Sequence, residues 1–148
     1  IETAAVRRAC HRAEDAGIAA LRDRLHADGL TTAGLTIREV VERDEAFHLG
    51  IARLAGNSEM VRHLDRINER IRFIRWVDMG HRVGTTKGEH LEIMEALEAR
   101  DEDRAVAVLE IHVMRRMDQI VAAVREGYSN IFVSDPEELF DRLVGGAE

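Results

Sequence analysis

Four side chains in this sequence have the types and the spacing of metal ligands. Asp44 and His48 are four residues apart, and on a helix this spacing places both side chains on one face, one turn apart. His90 and His112 lie in two further segments, where each shares a helical face with aliphatic residues. One carboxylate and three imidazoles form a mixed oxygen and nitrogen set that suits zinc, nickel, manganese or iron, and we take zinc as the first expectation.

The three histidines of this set face the interior of their own helices, which favours a shared cation. A single histidine of this kind is more often a hydrogen-bonded core residue than a ligand. Burying three imidazoles with three separate partners would be costly, whereas one cation satisfies all of them. Asp44 alone would be interpreted as half of a buried ion pair with an arginine. The remaining histidines are predicted to be solvated, and they are His11, His26, His63 and His81.

Other interpretations of the four ligands remain open from the residues alone. A metal held by three histidines can activate water for hydrolysis, so the chain could be an enzyme. The candidate general bases, Glu45 and Glu89, are each rotated by about 100° from a neighbouring ligand and are predicted to point away from it. Alternatively, the chain is a structural dimerisation bundle, and the metal only holds its helices together. A di-iron centre is disfavoured because it needs repeated Glu-x-x-His pairs, and we find only Glu45-x-x-His48.

The segments around these residues have helical periodicity and predict an all-α fold. Hydrophobic residues make up 45% of the chain, there is one proline, and no segment alternates convincingly with a period of two. Short loops favour antiparallel neighbours. We therefore predict an antiparallel bundle of six to seven helices with a central metal and ligand cavity. The predicted helices cover residues 1–13, 14–29, 36–55, 58–79, 85–99 and 102–126, with a short seventh helix in the tail.

Local signals mark several ends of these helices. Thr36 followed by Glu39 is typical of a capping box, and Asp101 is a good N-cap for the sixth helix. Gly127 is expected to end that helix. In the tail, the run Asp135-Pro136-Glu137-Glu138 combines an N-cap, a proline at the first helical position and two acids, which predicts a short last helix.

Length and charge narrow the class of protein further. The 148 residues suffice for one ordinary domain, and the net charge of -7 makes the chain a poor candidate to grip a phosphate backbone by itself. The single cysteine, Cys10, is compatible with the cytoplasm. No apolar run approaches the roughly 18 residues that span a membrane. Because the chain begins at Ile1, already in a helical pattern, we expect that an upstream part is missing.

Several short motifs, in their order and spacing, resemble the FCD domain. This is the C-terminal effector-binding domain of FadR-subfamily GntR transcription regulators, and the resemblance covers about residues 1–127. The motifs are Asp44-x-x-Phe47-His48, Ala55-Gly56-Asn57, Glu89-His90-x-x-Ile93-x-x-Ala96-Leu97, Asp101 with Ala105, and the later His112. Residues 128–148 form a tail outside the resemblance.

The resemblance implies a purpose for the four ligands. They would hold one divalent metal in a cavity where a small organic acid binds, often with the help of arginines. It also implies a homodimer and an upstream winged helix-turn-helix domain, absent from this chain, which would carry the contact with DNA. Arg75 and Arg72 on the fourth helix, together with Arg82, are the candidate ligand-binding residues. For the first two, the alternative is a solvated face with ion pairs to Asp78 and Glu69.

Overall fold

The computed structural model describes residues 1–27, 34–79 and 86–132, and within these ranges the regular secondary structure consists of helices. It contains no strand there, so the all-α prediction is confirmed. The helices are α1 (Glu2–Arg12), α2 (Asp15–Ala27), α3 (Ile37–Leu54), α4 (Ser58–Met79), α5 (Thr86–Glu98) and α6 (Glu102–Phe132). None of them combines the length and the hydropathy that crossing a bilayer requires.

Two helical hairpins form the frame of the bundle. α3 and α4 are joined by residues 55–57, and Asp44 near the middle of α3 contacts Arg75 near the end of α4, so the two helices run antiparallel. α5 and α6 form the second hairpin, in which Glu89 contacts His112. α1 packs against α3, α5 and α6, and α2 packs against α3 and α5. The core between them is built largely from aliphatic side chains of α1, α2, α3, α5 and α6.

The predicted caps of α3 and α6 are confirmed. The Glu39 amide donates to Thr36 Oγ1, and the Thr36 amide donates to the Glu39 carboxylate at 2.7 Å, which completes the capping box. The hydrogen bonds that the Thr36 amide and hydroxyl donate to the Glu39 carboxylate lower the pKa of Glu39. At the start of α6, the Arg104 amide donates to Asp101 Oδ1 at 3.0 Å. Both helices that carry a capping signal therefore begin where the sequence places them.

The predicted end of α6 at Gly127 is wrong, because the helix continues to Phe132. One glycine inside a helix costs about 1 kcal/mol relative to alanine, which neighbouring turns can offset. A glycine therefore ends a helix only where the backbone after it also leaves the helical conformation. The predicted end of α2 at Gly29, the loop 80–84 and the short helix that begins at Asp135 lie outside the described residues.

Arg100 lies between α5 and α6, and its side chain forms hydrogen bonds with the end of α1. Its φ of 56° is unusual for a residue other than glycine. The guanidinium donates hydrogen bonds to the carbonyl oxygens of Ala9, Cys10 and Ala13, at 3.3, 3.1 and 2.7 Å. The last carbonyls of a helix lack partners within the helix, and a cation there is favourable. Arg100 therefore satisfies the end of α1 from a distant part of the chain.

Candidate metal centre

The four predicted ligands converge in the interior of the bundle. Each of them is at most 5% exposed, and one ligand atom from each lies within 4.8 Å of the others. The Nε2 atoms of His48 and His112 are 3.1 Å apart. Oδ1 of Asp44 lies 3.3 Å from Nε2 of His90 and 3.8 Å from Nε2 of His48. The Nε2 atoms of His48 and His90 thus both lie close to Asp44 Oδ1, and His112 joins the cluster through the contact of its Nε2 with His48.

Three helices and an aromatic contact position these side chains. α3 supplies Asp44 and His48 from successive turns, α5 supplies His90, and α6 supplies His112. The ring of Phe47 stacks on His90 with a centroid separation of 4.0 Å. The rings of His48 and His112 are also stacked, at 5.0 Å. Because the rings are packed in this way, their orientation is set by the core rather than by solvent.

Two further carboxylates hold the outer nitrogens of the histidines. Glu89 Oε2 lies 2.7 Å from Nδ1 of His112, and Glu2 Oε2 lies 2.5 Å from Nδ1 of His48. An ionised carboxylate only accepts hydrogen bonds, so each contact favours a proton on Nδ1. The lone pair of Nε2 then faces the centre of the cluster. Carboxylates in this position are the usual outer partners of histidines that bind metals.

These outer contacts differ from what the sequence analysis predicted. Glu89 was predicted to point away from His90, and its contact with the outer nitrogen of His112 on α6 was not predicted. Glu2 was not predicted at all, because its contact joins α1 to α3 and no spacing within one helix indicates it. His11, His26 and His63 are exposed as predicted, and His81 lies outside the described residues.

The donor set fits a divalent transition metal. Zinc bonds to histidine nitrogen and carboxylate oxygen are about 2.0–2.2 Å long, so two atoms bound to one ion are separated by roughly 3–4 Å. The separations of 3.1, 3.3 and 3.8 Å between ligand atoms lie in this range. Asp44, His48, His90 and His112 would be the residues that hold the ion.

The arginines form a second layer beside the cluster. Arg75 is 3% exposed, and its guanidinium pairs with Oδ2 of Asp44 and, at 3.4 Å, with Oε1 of Glu45. Asp44 therefore directs one oxygen to the histidines and the other to Arg75. Arg72 donates to Glu45 from Nη2 at 2.8 Å and from Nε at 3.1 Å. The hydrogen bond to Glu45 raises the pKa of Arg72, so this guanidinium stays charged.

The predicted ligand-binding arginines lie at different distances from the four candidate ligands. Arg75 contacts a candidate ligand directly and is not on a solvated face. Arg72 is one contact further away, through Glu45. Glu45 was expected to point away from Asp44, and it is instead buried between the two arginines. Arg82 lies outside the described residues.

Removal of either outer carboxylate is expected to weaken metal binding. Glu2→Ala and Glu89→Ala should each raise the Kd by about 10–100-fold, because the carboxylate orients its histidine and increases the basicity of Nε2. The corresponding glutamine variants keep a hydrogen-bond acceptor, so their Kd for the metal should rise by less. Competition against a chromophoric chelator measures the Kd, and Glu92→Ala, on the exposed face of α5, is the matched control. Unchanged affinity in both alanine variants would contradict this role.

Comparisons with known proteins agree with this architecture. Residues 1–115, which include all four candidate ligands, match the FCD domain. The "Nta operon transcriptional regulator" of Aminobacter aminovorans is 36% identical over 140 residues, which are 93% of this chain and 64% of that protein. The chain thus spans just under two thirds of the length of this relative. No solved structure matches the chain with significance. From the extent of the domain match and the identity to this regulator, we conclude that the chain belongs to the FCD domain family.

Proposed function

We propose that this chain is the effector-sensing domain of a transcription regulator. In this proposal, Asp44, His48, His90 and His112 hold a divalent transition metal, and a small organic acid binds at that metal. The family and the curated relative support a regulatory role. The observation that carries the metal-dependent part is the buried convergence of one carboxylate and three imidazoles, whose ligand atoms all lie within 4.8 Å of one another.

The charges around the cluster support an anionic effector. Four carboxylates lie in or beside it, those of Glu2, Asp44, Glu45 and Glu89. Three guanidinium groups pair with them, those of Arg72, Arg75 and Arg115. With neutral histidines, these described groups carry one net negative charge, counting Arg115, whose side chain is 62% exposed. A divalent cation would make the local charge positive, which favours an anionic ligand over a cationic one.

The geometry of the site also suits a carboxylate ligand. Asp44, His48, His90 and His112 would hold the ion, which would supply a Lewis-acidic site for an oxygen donor of the effector. Arg75 is the nearest described guanidinium to Asp44, and planar guanidinium groups bind carboxylates in a two-pronged manner. We therefore propose Arg75, followed by Arg72 and Arg82, as the residues that bind the remaining oxygens of the effector.

The proposed signal is a shift between two arrangements of the bundle. An effector that prefers one arrangement increases its population, and a linked DNA-binding domain responds to that change. In this proposal, the DNA contact belongs to an upstream winged helix-turn-helix domain in the cytoplasm. In full-length protein, the affinity for the operator is therefore expected to change when the effector is added. An effector that binds this chain and leaves operator affinity unchanged would contradict the signalling role.

Hydrolysis is the less favoured activity of the same site. Both candidate general bases are engaged in ion pairs, Glu45 with Arg72 and Arg75, and Glu89 with His112 and Arg115. Because these partners hold both carboxylates, neither is placed to receive a proton from a reacting water.

A thermal-shift screen of small carboxylic acids tests effector binding. At an acid concentration of 100 Kd, binding stabilises the native state by about 2.7 kcal/mol, which raises the Tm of a chain of this size by roughly 5–10 °C. The same acid should not shift the Tm of chelator-treated protein or of Asp44→Ala. If metal removal melts the fold and no acid shifts the Tm, the site is a structural staple instead.

A further inference from the structure

Asn68 is a polar residue on the buried face of α4, and none of the contacts at the metal centre described above involves it. Its side chain is 2% exposed, and its Nδ2 donates no hydrogen bond within the part of the chain that the structure describes. Leu64, one turn earlier, belongs to the hydrophobic core, so an apolar residue would suit this face of the helix. Because burial of an amide without an acceptor destabilises a fold, a group of this kind is a candidate for binding a ligand.

Asn68 and Arg75 lie on the same face of α4. They are seven residues apart, which is close to two full turns, so their side chains leave the helix within about 20° of one direction. Arg75 is also buried, and its guanidinium pairs with Oδ2 of Asp44. The face of α4 that carries Asn68 is therefore the face that meets the candidate metal ligands.

The ion pair between Asp44 and Arg75 also indicates the level of Asn68 in the bundle. Because α3 and α4 run antiparallel, seven residues back along α4 correspond to about seven residues forward along α3, which is the level of Ile51. Ile51 is buried, and it lies less than one turn beyond His48. Asn68 is therefore about 5–10 Å along the axis from the turn that carries the two ligands of α3, on the side away from Arg75.

We propose that Asn68 binds the end of the effector that is remote from the metal, by donating a hydrogen bond from Nδ2 to an oxygen. This inference rests on the proposed function and deepens it. A side-chain NH2 group only donates hydrogen bonds, so its partner must be an acceptor such as a second carboxylate or an amide carbonyl. The effector would then be a short carboxylic acid with a second oxygen acceptor at its other end, and not a simple fatty acid.

Isothermal titration of the zinc-loaded chain tests this class of effector. The probes are straight-chain dicarboxylic acids of three to six carbons, their half-amides and the monocarboxylic acids of the same lengths. For the length that binds best, the dicarboxylic acid or its half-amide should have a Kd about 10-fold or more below that of the monocarboxylic acid. A hydrogen bond from a group that is otherwise unpartnered accounts for a difference of this size.

The variant Asn68→Leu separates binding from a structural role of the amide. It should bind the dicarboxylic and the monocarboxylic acid with about the same Kd, because only the remote contact is lost. Without any acid, its Tm should equal or exceed that of the wild type, since leucine removes a buried amide that has no acceptor. Asn68→Ala gives the same comparison of Kd values with a smaller side chain. His63→Leu, at an exposed position of α4, is the matched control and should keep the wild-type preference.

The outcomes distinguish this inference from the proposed function on which it rests. If Asn68→Leu and Asn68→Ala both retain the preference for a second oxygen acceptor, Asn68 does not bind the effector and the inference is wrong. If the zinc-loaded wild type binds monocarboxylic and dicarboxylic acids equally well, the proposed function stands and the inference is again wrong. If no acid of the series binds in a metal-dependent manner, the proposed function and the inference fail together.

Discussion

Asp44→Ala protein is expected to contain almost no bound metal, whereas the wild type should contain about one ion per chain. Asp44 is the only oxygen donor among the four candidate ligands, and its Oδ1 lies within 4 Å of Nε2 of both His48 and His90. Removal of one of four protein ligands from a site without close substitutes should abolish stable occupancy. Elemental analysis after dialysis against a single divalent metal measures the stoichiometry.

The response to a chelator separates loss of the metal from general damage to the fold. Metal binding to the native state stabilises it, so chelation should lower the Tm of the wild type. The Tm of Asp44→Ala should not respond to the chelator. Glu92→Ala, which removes an exposed carboxylate from α5, should behave as the wild type in both measurements. Wild-type metal content in Asp44→Ala would refute the assignment of this residue as a ligand.

The second large effect is a difference in stability between two single variants, Arg75→Met and Arg72→Met. Both arginines contact Glu45, but the side chain of Arg75 is 3% exposed and that of Arg72 is 34% exposed. Removal of Arg75 leaves two buried carboxylates without this cation and should lower the free energy of unfolding by about 3–5 kcal/mol. Removal of Arg72 should cost about 1 kcal/mol or less, because solvent screens the more exposed ion pair.

Urea denaturation of the metal-free proteins measures this difference. Added metal should stabilise Arg75→Met by more than it stabilises the wild type, because a dication next to Asp44 takes over part of the charge balance that Arg75 provides. Equal losses of stability in the two variants would show that burial of the guanidinium does not determine how much it contributes to the free energy of unfolding. Unfolded Arg75→Met that refolds when metal is added would still agree with the prediction.

The elements and the four candidate ligands could be predicted because their signals lie within single helices. Asp44 and His48 are one turn apart, and the apolar residues around each histidine reveal its inward face through the helical period. The capping pair Thr36 and Glu39 is similarly local. Arg75 flanks the apolar stripe of its own helix, but the sequence left open whether it lies in the pocket or on a solvated face.

The partners of these residues could not be predicted in the same way. Glu2, Glu89 and Arg100 act across the interface between different helices, and their contacts depend on how the helices are rotated against each other. The continuation of α6 through Gly127 is a further case that local signals do not settle. A glycine often follows the end of a helix, but it does not force the helix to end. Local chemistry therefore predicts which side chains enter the core, and packing between helices decides what they meet.

The separation of the ligands along the chain governs how fast a bound ion can leave. His48 and His112 are 64 positions apart, and together with His90 they belong to three different helices. An ion held by all of these ligands would join three helices, so we expect its dissociation rate to depend on the opening of the bundle as well as on the lability of single bonds. Exchange with excess chelator should consequently slow in step with the amide hydrogen exchange of α3 and α6.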